Sequence, residues 1–575
     1  MATYELVVRG GLVVDGTGAA PFEADIGVRD GRIAAVGRLA GGGTEEIDAR
    51  GHLVTPGFVD VHTHYDGQAV WDHHLAPSSW HGVTTAVMGN CGVGFAPCRS
   101  ADREKLIELM EGVEDIPGAV MHEGLRWEWE SFPEYLATLD RGRRDIDICA
   151  MLPHAAVRVH VMGDRAIRLE PATGRDVAQM RAIAADAARA GAFGFSTSRT
   201  TSHKSLRGDY TPTLRALEAE LVGIAQGLTE GGGGFMEVVS EWTQPDPANE
   251  FAMLRRIAEQ SGRPVLFSLG QRHTQADYWQ ELLAASRAAV ADGVPIRPVV
   301  PPRAIGTLFG LTGSQNPFSG TPSYKAIAHL PLAERVAALR DPGMRRRILG
   351  EDPAKESTFP LFHRLSYAQM YRFGTPPNYT PREEDSIARI AGREGRTAPE
   401  VAYDILLEQD GRAFIYAPIL NYGTFDLSIS EAMLADRNTI MGLGDGGAHV
   451  GFILDAGFTT WLLAYWGKQR GRFDMPELIR RLTSDTAHAV GLFDRGVVAE
   501  GRRADLNVID WDRIGFGSPY VVHDLPAGGK RLLQKASGYA ATIVAGEITY
   551  RDGEATGALP GRLVRRPGAA GHAVH

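Results

Sequence analysis

The chain has 575 residues, of which 44% are hydrophobic and 23% charged, with a formal net charge of -10. Such a balance excludes a disordered chain and suits a folded globular protein, with length enough for two or three structural units unless a barrel with additions forms one of them. The acidic balance and the lack of a sustained Lys/Arg run argue against a nucleic-acid partner. The cluster Arg345-Arg346-Arg347 reads as a solvated helix face.

The first nine residues alternate like a strand and carry no basic segment followed by an apolar core, so export is not expected. No apolar run reaches membrane-spanning length. Cys91, Cys98 and Cys149 form an odd, sparse set that suits a reducing cytoplasm better than a disulfide framework, and each is free to be a core residue or a ligand.

Residues 4–8, 12–15, 24–28 and 32–36 read as short strands between tight turns such as Asp15-Gly16 and Asp30-Gly31. The same pattern returns over 506–510, 540–544 and 547–550. Neither set has apolar residues enough for its own core, so the two ends are predicted to pair into one small β-sandwich domain, residues 1–55 plus 490–565.

Between them, strands alternate with amphipathic segments. The predicted strands are 58–61, 84–88, 146–152, 192–196, 235–239, 264–268, 296–300 and 439–443, with helices over 176–190, 214–227, 248–261 and 277–292. Eight such strands predict an α/β fold, a (β/α)8 TIM barrel over 56–300 plus 437–489. Residues 301–436 are too long for a simple connection. They hold a Gly/Ser/Pro-rich stretch over 310–322 and helical segments near 332–349 and 381–409. We read them as an insertion over the barrel mouth, a lid or substrate-shaping subdomain, against the alternative of a surface decoration.

Barrel chemistry comes from the carboxyl ends of strands. The first predicted strand follows a Pro-Gly turn and ends in His62 and His64, two imidazoles on one face. The second ends in Gly89-Asn90-Cys91-Gly92, and the eighth in Gly444-Asp445-Gly446-Gly447-Ala448-His449. Taken alone, Cys91 reads as a small core residue and Asp445 as a turn residue. Their joint placement at strand ends with two histidines predicts a metal site, with a carboxylate also able to accept a proton from water.

The run Thr55-Pro56-Gly57-Phe58-Val59-Asp60-Val61-His62-Thr63-His64, the run from Gly82 to Gly92 and the paired terminal strands resemble the amidohydrolase superfamily. The Gly-Asn-Cys-Gly element is similar to the N-acyl-D-amino-acid deacylase (D-aminoacylase) branch, with support from residues 191–198, 339–342 and 501–506. The resemblance implies His62, His64, Cys91 and Asp445 as metal ligands and Asp445 as general base. The family's histidines at the ends of strands five and six are missing, since the stretches there are 235–241 and 265–271. Glu237 is left as a substitute oxygen ligand or substrate contact, and His273 lies a few residues late.

One zinc ion is therefore expected in preference to two. The family's basic residue for the substrate carboxylate is also not evident, since Gln271 falls near its place; Arg272 and Arg199 are the replacements considered. His449 reads as a partner of the metal ligands, a substrate contact or an ordinary rim residue, and residues 198–204 as a further substrate-contact segment or a solvated loop.

The implied activity is metal-dependent hydrolysis of a small-molecule amide, first an N-acyl-D-amino acid. The alternatives are hydrolysis of a cyclic or other non-peptide amide and, from another class, a catalytically silent binding barrel. No nucleic-acid or membrane partner is expected; self-association is left open.

Overall fold

The computed structural model describes residues 3–242, 246–273, 277–353 and 366–567. The architecture is mixed α/β. No helix among the described residues is long and apolar enough to cross a membrane.

Both ends of the chain enter one sheet. Tyr4–Val13 pairs antiparallel with Phe22–Arg29 and parallel with Gly43–Asp48 and Leu53–Pro56. Leu53–Pro56 then pairs with Leu506–Ile509, which pairs onward with Tyr539–Val544, which in turn pairs with Glu547–Arg551. The buried faces of Leu6, Val8, Ile26, Val28, Leu506, Val508 and Ile543 form a common core, so neither end is apolar enough without the other.

Two expectations change in detail. The strands predicted over 4–8 and 12–15 are one strand with a register shift between Val8 and Gly11. The terminal strands also belong to one nine-stranded sheet in which eight follow a single bonding path and Gly43–Asp48 pairs off it with Tyr4–Val13. Strand Leu53–Pro56, absent from the sequence reading, bonds on both edges and leaves no break in the path.

Eight parallel segments carry the middle of the chain. We number them β1 (Phe58–Thr63), β2 (Val83–Met88), β3 (Asp147–Ala150, continued at Leu152–Pro153), β4 (Gly194–Arg199), β5 (Phe235–Ser240), β6 (Val265–Ser268), β7 (Ile296–Val300) and β8 (Ile440–Met441). β1, β2 and β3 pair in that order, and a second sheet runs from Leu152–Pro153 through β4, β5, β6 and β7 to β8. Just past β8, Gly446 bridges Thr63 at the end of β1, and the His64 N–H donates to the Gly446 carbonyl at 2.7 Å. The carboxyl ends of β1 and β8 are therefore neighbours.

The helices between these strands begin and end on local signals. Gly174–Ala190 has a reciprocal Thr173/Asp176 capping box and stops at Gly191, whose φ of +108° suits a residue without Cβ. Glu218–Glu230 starts four residues later than predicted, because Thr213 is tied by its hydroxyl to the Ser198 carbonyl and the chain turns there.

Residues 301–436 carry their own sheet, with Phe414–Leu420 between Ile305–Gly310 and Tyr371–Arg372, and their own core around Phe309, Phe318, Tyr403, Ile405 and Ile415. The helix predicted near 332–349 is split into Leu332–Arg340 and Pro342–Gly350, where Asp341 caps the second piece by accepting from the Met344 N–H at 2.8 Å. Leu420 bridges Arg272, and Thr307 bridges Ile453, so this unit lies against the loops that follow β6 and β8.

Candidate metal centre

β1 delivers His62 and His64 at its carboxyl end because the strand period of two puts Asp60, His62 and His64 on one face. The His62 N–H donates to Asp60 Oδ1 at 3.1 Å, which fixes this part of the backbone. After β2, Asn90 donates its side-chain amide to the carbonyls of Thr63 (3.1 Å) and Val87 (2.9 Å), tying the turn to β1. Cys91 then takes a φ of +54°. Gly92 follows in the left-handed region, where a Cβ would lie 2.8 Å from the Ser198 nitrogen, so only glycine lets this turn reach the site. Asp445 also has a positive φ, +48°, and the neighbouring Gly447 presses against the His64 backbone, 2.8 Å from where its Cβ would be.

These turns converge. One nitrogen from each of His62 and His64 and the Cys91 Sγ all lie within 4.8 Å of one another, and all three residues are buried. His62 Nε2 is 3.4 Å from Cys91 Sγ and 3.3 Å from Asp445 Oδ1; His64 Nε2 is 3.7 Å from the same carboxylate oxygen. A tetrahedral zinc site with two nitrogens, one sulfur and one oxygen has ligand-to-ligand edges of roughly 3.3 to 3.6 Å. The His62–Cys91, His62–Asp445 and His64–Asp445 separations, 3.4, 3.3 and 3.7 Å, are close to those edges.

The electrostatics favour a cation. Burial pushes Asp60 and Glu237 up to about 8 and Asp66 up to about 7. Burial also raises Glu114 and the Cys91 thiol well above their usual ranges, with neighbouring carboxylates adding to both. His62 and His64 are pushed down to about 3 by burial, so they are neutral imidazoles able to ligate. Among the described residues no lysine or arginine forms an ion pair with Asp60, Asp66, Glu114, Glu237 or Asp445. Both nitrogens of His64, Nδ1 of His62 and one oxygen each of Asp60 and Glu114 are buried without hydrogen-bond partners. A divalent ion fits this donor set and its charge deficit.

The other sequence candidates fall in two groups. Glu237 lies inside the cluster: Oε2 accepts from the Cys91 N–H at 3.1 Å, and Oε1 faces His62 Nδ1 at 3.7 Å. His449 Nε2 stands 3.5 Å from Glu114 Oε2, and Glu114 Oε1 stands 3.4 Å from His64 Nδ1. Arg199, in contrast, is held by Glu250 through Nε at 2.6 Å and by the Ala216 carbonyl. Arg272 faces Glu241 at 3.8 Å. His273 pairs with Gln369.

Sequence reasoning missed Glu114, the last residue of helix Arg103–Glu114, because nothing distinguishes it from the other acids of that charged helix. Asp60 carried a usable signal, since it shares the face of His62 and His64. His203 sits in the segment singled out after β4; its Nδ1 is 2.9 Å from Ser198 Oγ, and burial pushes it down to about 3.

Residues 45–550 match the amidohydrolase family model, and the chain belongs to that family. It is thus a hydrolase acting on carbon–nitrogen bonds other than peptide bonds. It is similar to the D-aminoacylase of Alcaligenes xylosoxydans xylosoxydans, 25% identical over 98% of each chain. A D-aminoacylase structure concerned with a binuclear metal centre superimposes with a TM-score of 0.65 at 24% identity, covering 98% of this chain and 100% of that one. The N-acyl-D-glutamate deacylase of Bordetella bronchiseptica, solved with zinc and a phosphonate inhibitor, gives 0.62 at 23% identity, covering 98% and 99%.

Proposed function

We propose that this amidohydrolase hydrolyses N-acyl-D-amino acids with one zinc ion held by His62, His64, Cys91 and Asp445. In this reading the parallel strands close as a (β/α)8 barrel over 56–300 plus 437–489, the terminal strands form a separate small domain, and residues 301–436 cover the mouth. The observation that carries it is the gathering of His62, His64 and Cys91 from two strand ends, with Asp445 Oδ1 of a third 3.3 Å from His62 Nε2 and 3.7 Å from His64 Nε2, among buried acids that no lysine or arginine among the described residues pairs with. The D-aminoacylase relative, matched along nearly its whole length, supports the substrate class.

Bound there, zinc would supply Lewis-acid activation of water and of the scissile carbonyl. Asp445 accepts the proton of the attacking water as the new C–O bond forms and returns it to nitrogen as the C–N bond breaks. Its left-handed turn sets the carboxylate 3.3 Å from His62 Nε2 and 3.7 Å from His64 Nε2.

A second reading, hydrolysis of a cyclic or otherwise uncharged amide, is favoured by one observation. Both guanidinium groups considered for a substrate carboxylate already face acids, Arg199 on Glu250 and Arg272 on Glu241. Assays with N-acetyl-D-amino acids, their L counterparts and cyclic imides separate the two. Turnover confined to the D series supports the first reading, turnover confined to imides the second, and no turnover of any with zinc present contradicts both.

A further inference from the structure

Glu237, on β5, lies inside the cluster beside His62 and Cys91 and is the oxygen ligand the sequence left open in place of a fifth-strand histidine. Its Oε2 is engaged by the Cys91 N–H, and its Oε1 looks at the far nitrogen of His62, Nδ1, across 3.7 Å. Ser268, at the end of β6, donates to Oε1 at 3.4 Å. On the opposite side Glu114 Oε1 looks at His64 Nδ1 across 3.4 Å. Nδ1 of both rings and Glu114 Oε1 have no hydrogen-bond partner, so His64 Nδ1 and Glu114 Oε1 face each other unpaired, and the unpaired His62 Nδ1 faces the Glu237 oxygen that Ser268 reaches.

We propose that Glu237 and Glu114 are positioning residues that accept Nδ1–H of His62 and His64, so that both rings present Nε2 to a single ion, and that Glu237 holds no second ion. An imidazole that ligates through Nε2 carries its proton on Nδ1 and needs an acceptor there, and the acceptor fixes both tautomer and ring plane. Glu237 does this for two ligands at once, holding the Cys91 backbone as well as the His62 ring. Two carboxylates on two different elements, one after β2 and one on β5, thus give each histidine its own acceptor. Glu114 also faces His449 Nε2 at 3.5 Å, which extends the support to the loop that carries Asp445.

The proposal rests on the single-zinc reading above, and the test separates the two. Full-length wild type, Glu237→Gln, Glu237→Ala and Glu114→Gln are stripped of metal and titrated with zinc against a chromophoric chelator, and their cobalt forms are examined by absorption. Wild type is expected to bind one ion. The Gln variants, which keep an acceptor oxygen, should still bind one ion about tenfold more weakly, and Glu237→Ala about a hundredfold more weakly. The cobalt forms should retain the thiolate charge-transfer band with shifted ligand-field bands. Unchanged melting of the metal-free variants separates ligand positioning from loss of fold; if Glu237→Ala does not fold, Glu237→Gln decides. Two ions in wild type and one in Glu237→Gln would make Glu237 a ligand and overturn the proposal, as would affinities within twofold of wild type. A wild-type chain that binds no ion overturns the single-zinc reading and this inference with it.

Discussion

Two buried charge clusters lie at β1 to β3, and they are built on opposite plans. In one, Asp147 of β3 accepts from Arg495 at 2.7 Å and Arg503 at 2.9 Å, while Asp505 faces Arg503 at 3.2 Å and Arg495 at 3.6 Å. Each acid meets guanidinium groups, and the cluster bolts the returning chain to β3. In the other, Asp60, Asp66, Glu114, Glu237 and Asp445 surround neutral imidazoles with no lysine or arginine paired to any of them among the described residues. Buried acids paired with guanidinium groups are architecture; buried acids with no basic partner form a donor set whose charge a bound cation would balance.

The strongest way to break this contrast is to alter the unbalanced cluster. His62→Ala should lose metal and turnover together, lowering kcat/KM by at least about a thousandfold. Asp445→Asn, nearly isosteric, should lower kcat on a similar scale with little change in Tm. Metal analysis, kinetics and melting of the purified variants check both, and wild-type turnover by Asp445→Asn would remove its proposed role.

The balanced cluster should behave in reverse. Asp147→Asn removes one of the carboxylates that Arg495 and Arg503 share with Asp505 and should cost about 3 kcal/mol in denaturant unfolding. Metal content and kcat of the folded fraction should stay at the wild-type level. A drop in bound metal at unchanged stability would show that the two clusters are not separate.

A third test uses a buried histidine outside both. His81 is enclosed between Thr460 Oγ1 at 2.8 Å and the Gln534 carbonyl at 3.0 Å, and burial pushes it down to about 4. Below pH 6.5 the unfolded chain gains a proton that the native chain refuses until about pH 4, so stability rises with pH through that window and is lost on acidification. The contribution is about 3 kcal/mol. Urea midpoints at pH 7 and pH 4.5 should fall less for His81→Gln than for wild type; equal falls would contradict it.

The smallest effect is expected at Arg199. Its guanidinium serves Glu250 and the Ala216 carbonyl. Arg199→Gln should cost about 1 kcal/mol of stability and leave KM within about twofold. A large rise in KM with stability intact would return Arg199 to substrate binding.

Much of this was legible in the sequence where chemistry and local period coincide. The alternation through Val59 and Val61 placed His62 and His64 on one face, and the glycines around Cys91 and Asp445 marked turns that only close approach explains. All eight predicted middle strands overlap parallel strands of the structure. What escaped depends on partners distant in sequence. Glu114 looks like any acid on a charged helix until His64 and His449 are placed beside it. Arg199 looks like a free cation until Glu250 is brought across from the helix that follows β5. Strand Leu53–Pro56 is apolar and short, and only its two pairing edges reveal it.

X-ray absorption at the zinc edge of the zinc-loaded protein tests the centre most directly. One sulfur at about 2.3 Å with nitrogen and oxygen scatterers at about 2.0 to 2.1 Å is the expected first coordination sphere, and the sulfur should vanish in Cys91→Ser. A spectrum without sulfur in the wild type would place the ion elsewhere and contradict a centre built from His62, His64, Cys91 and Asp445.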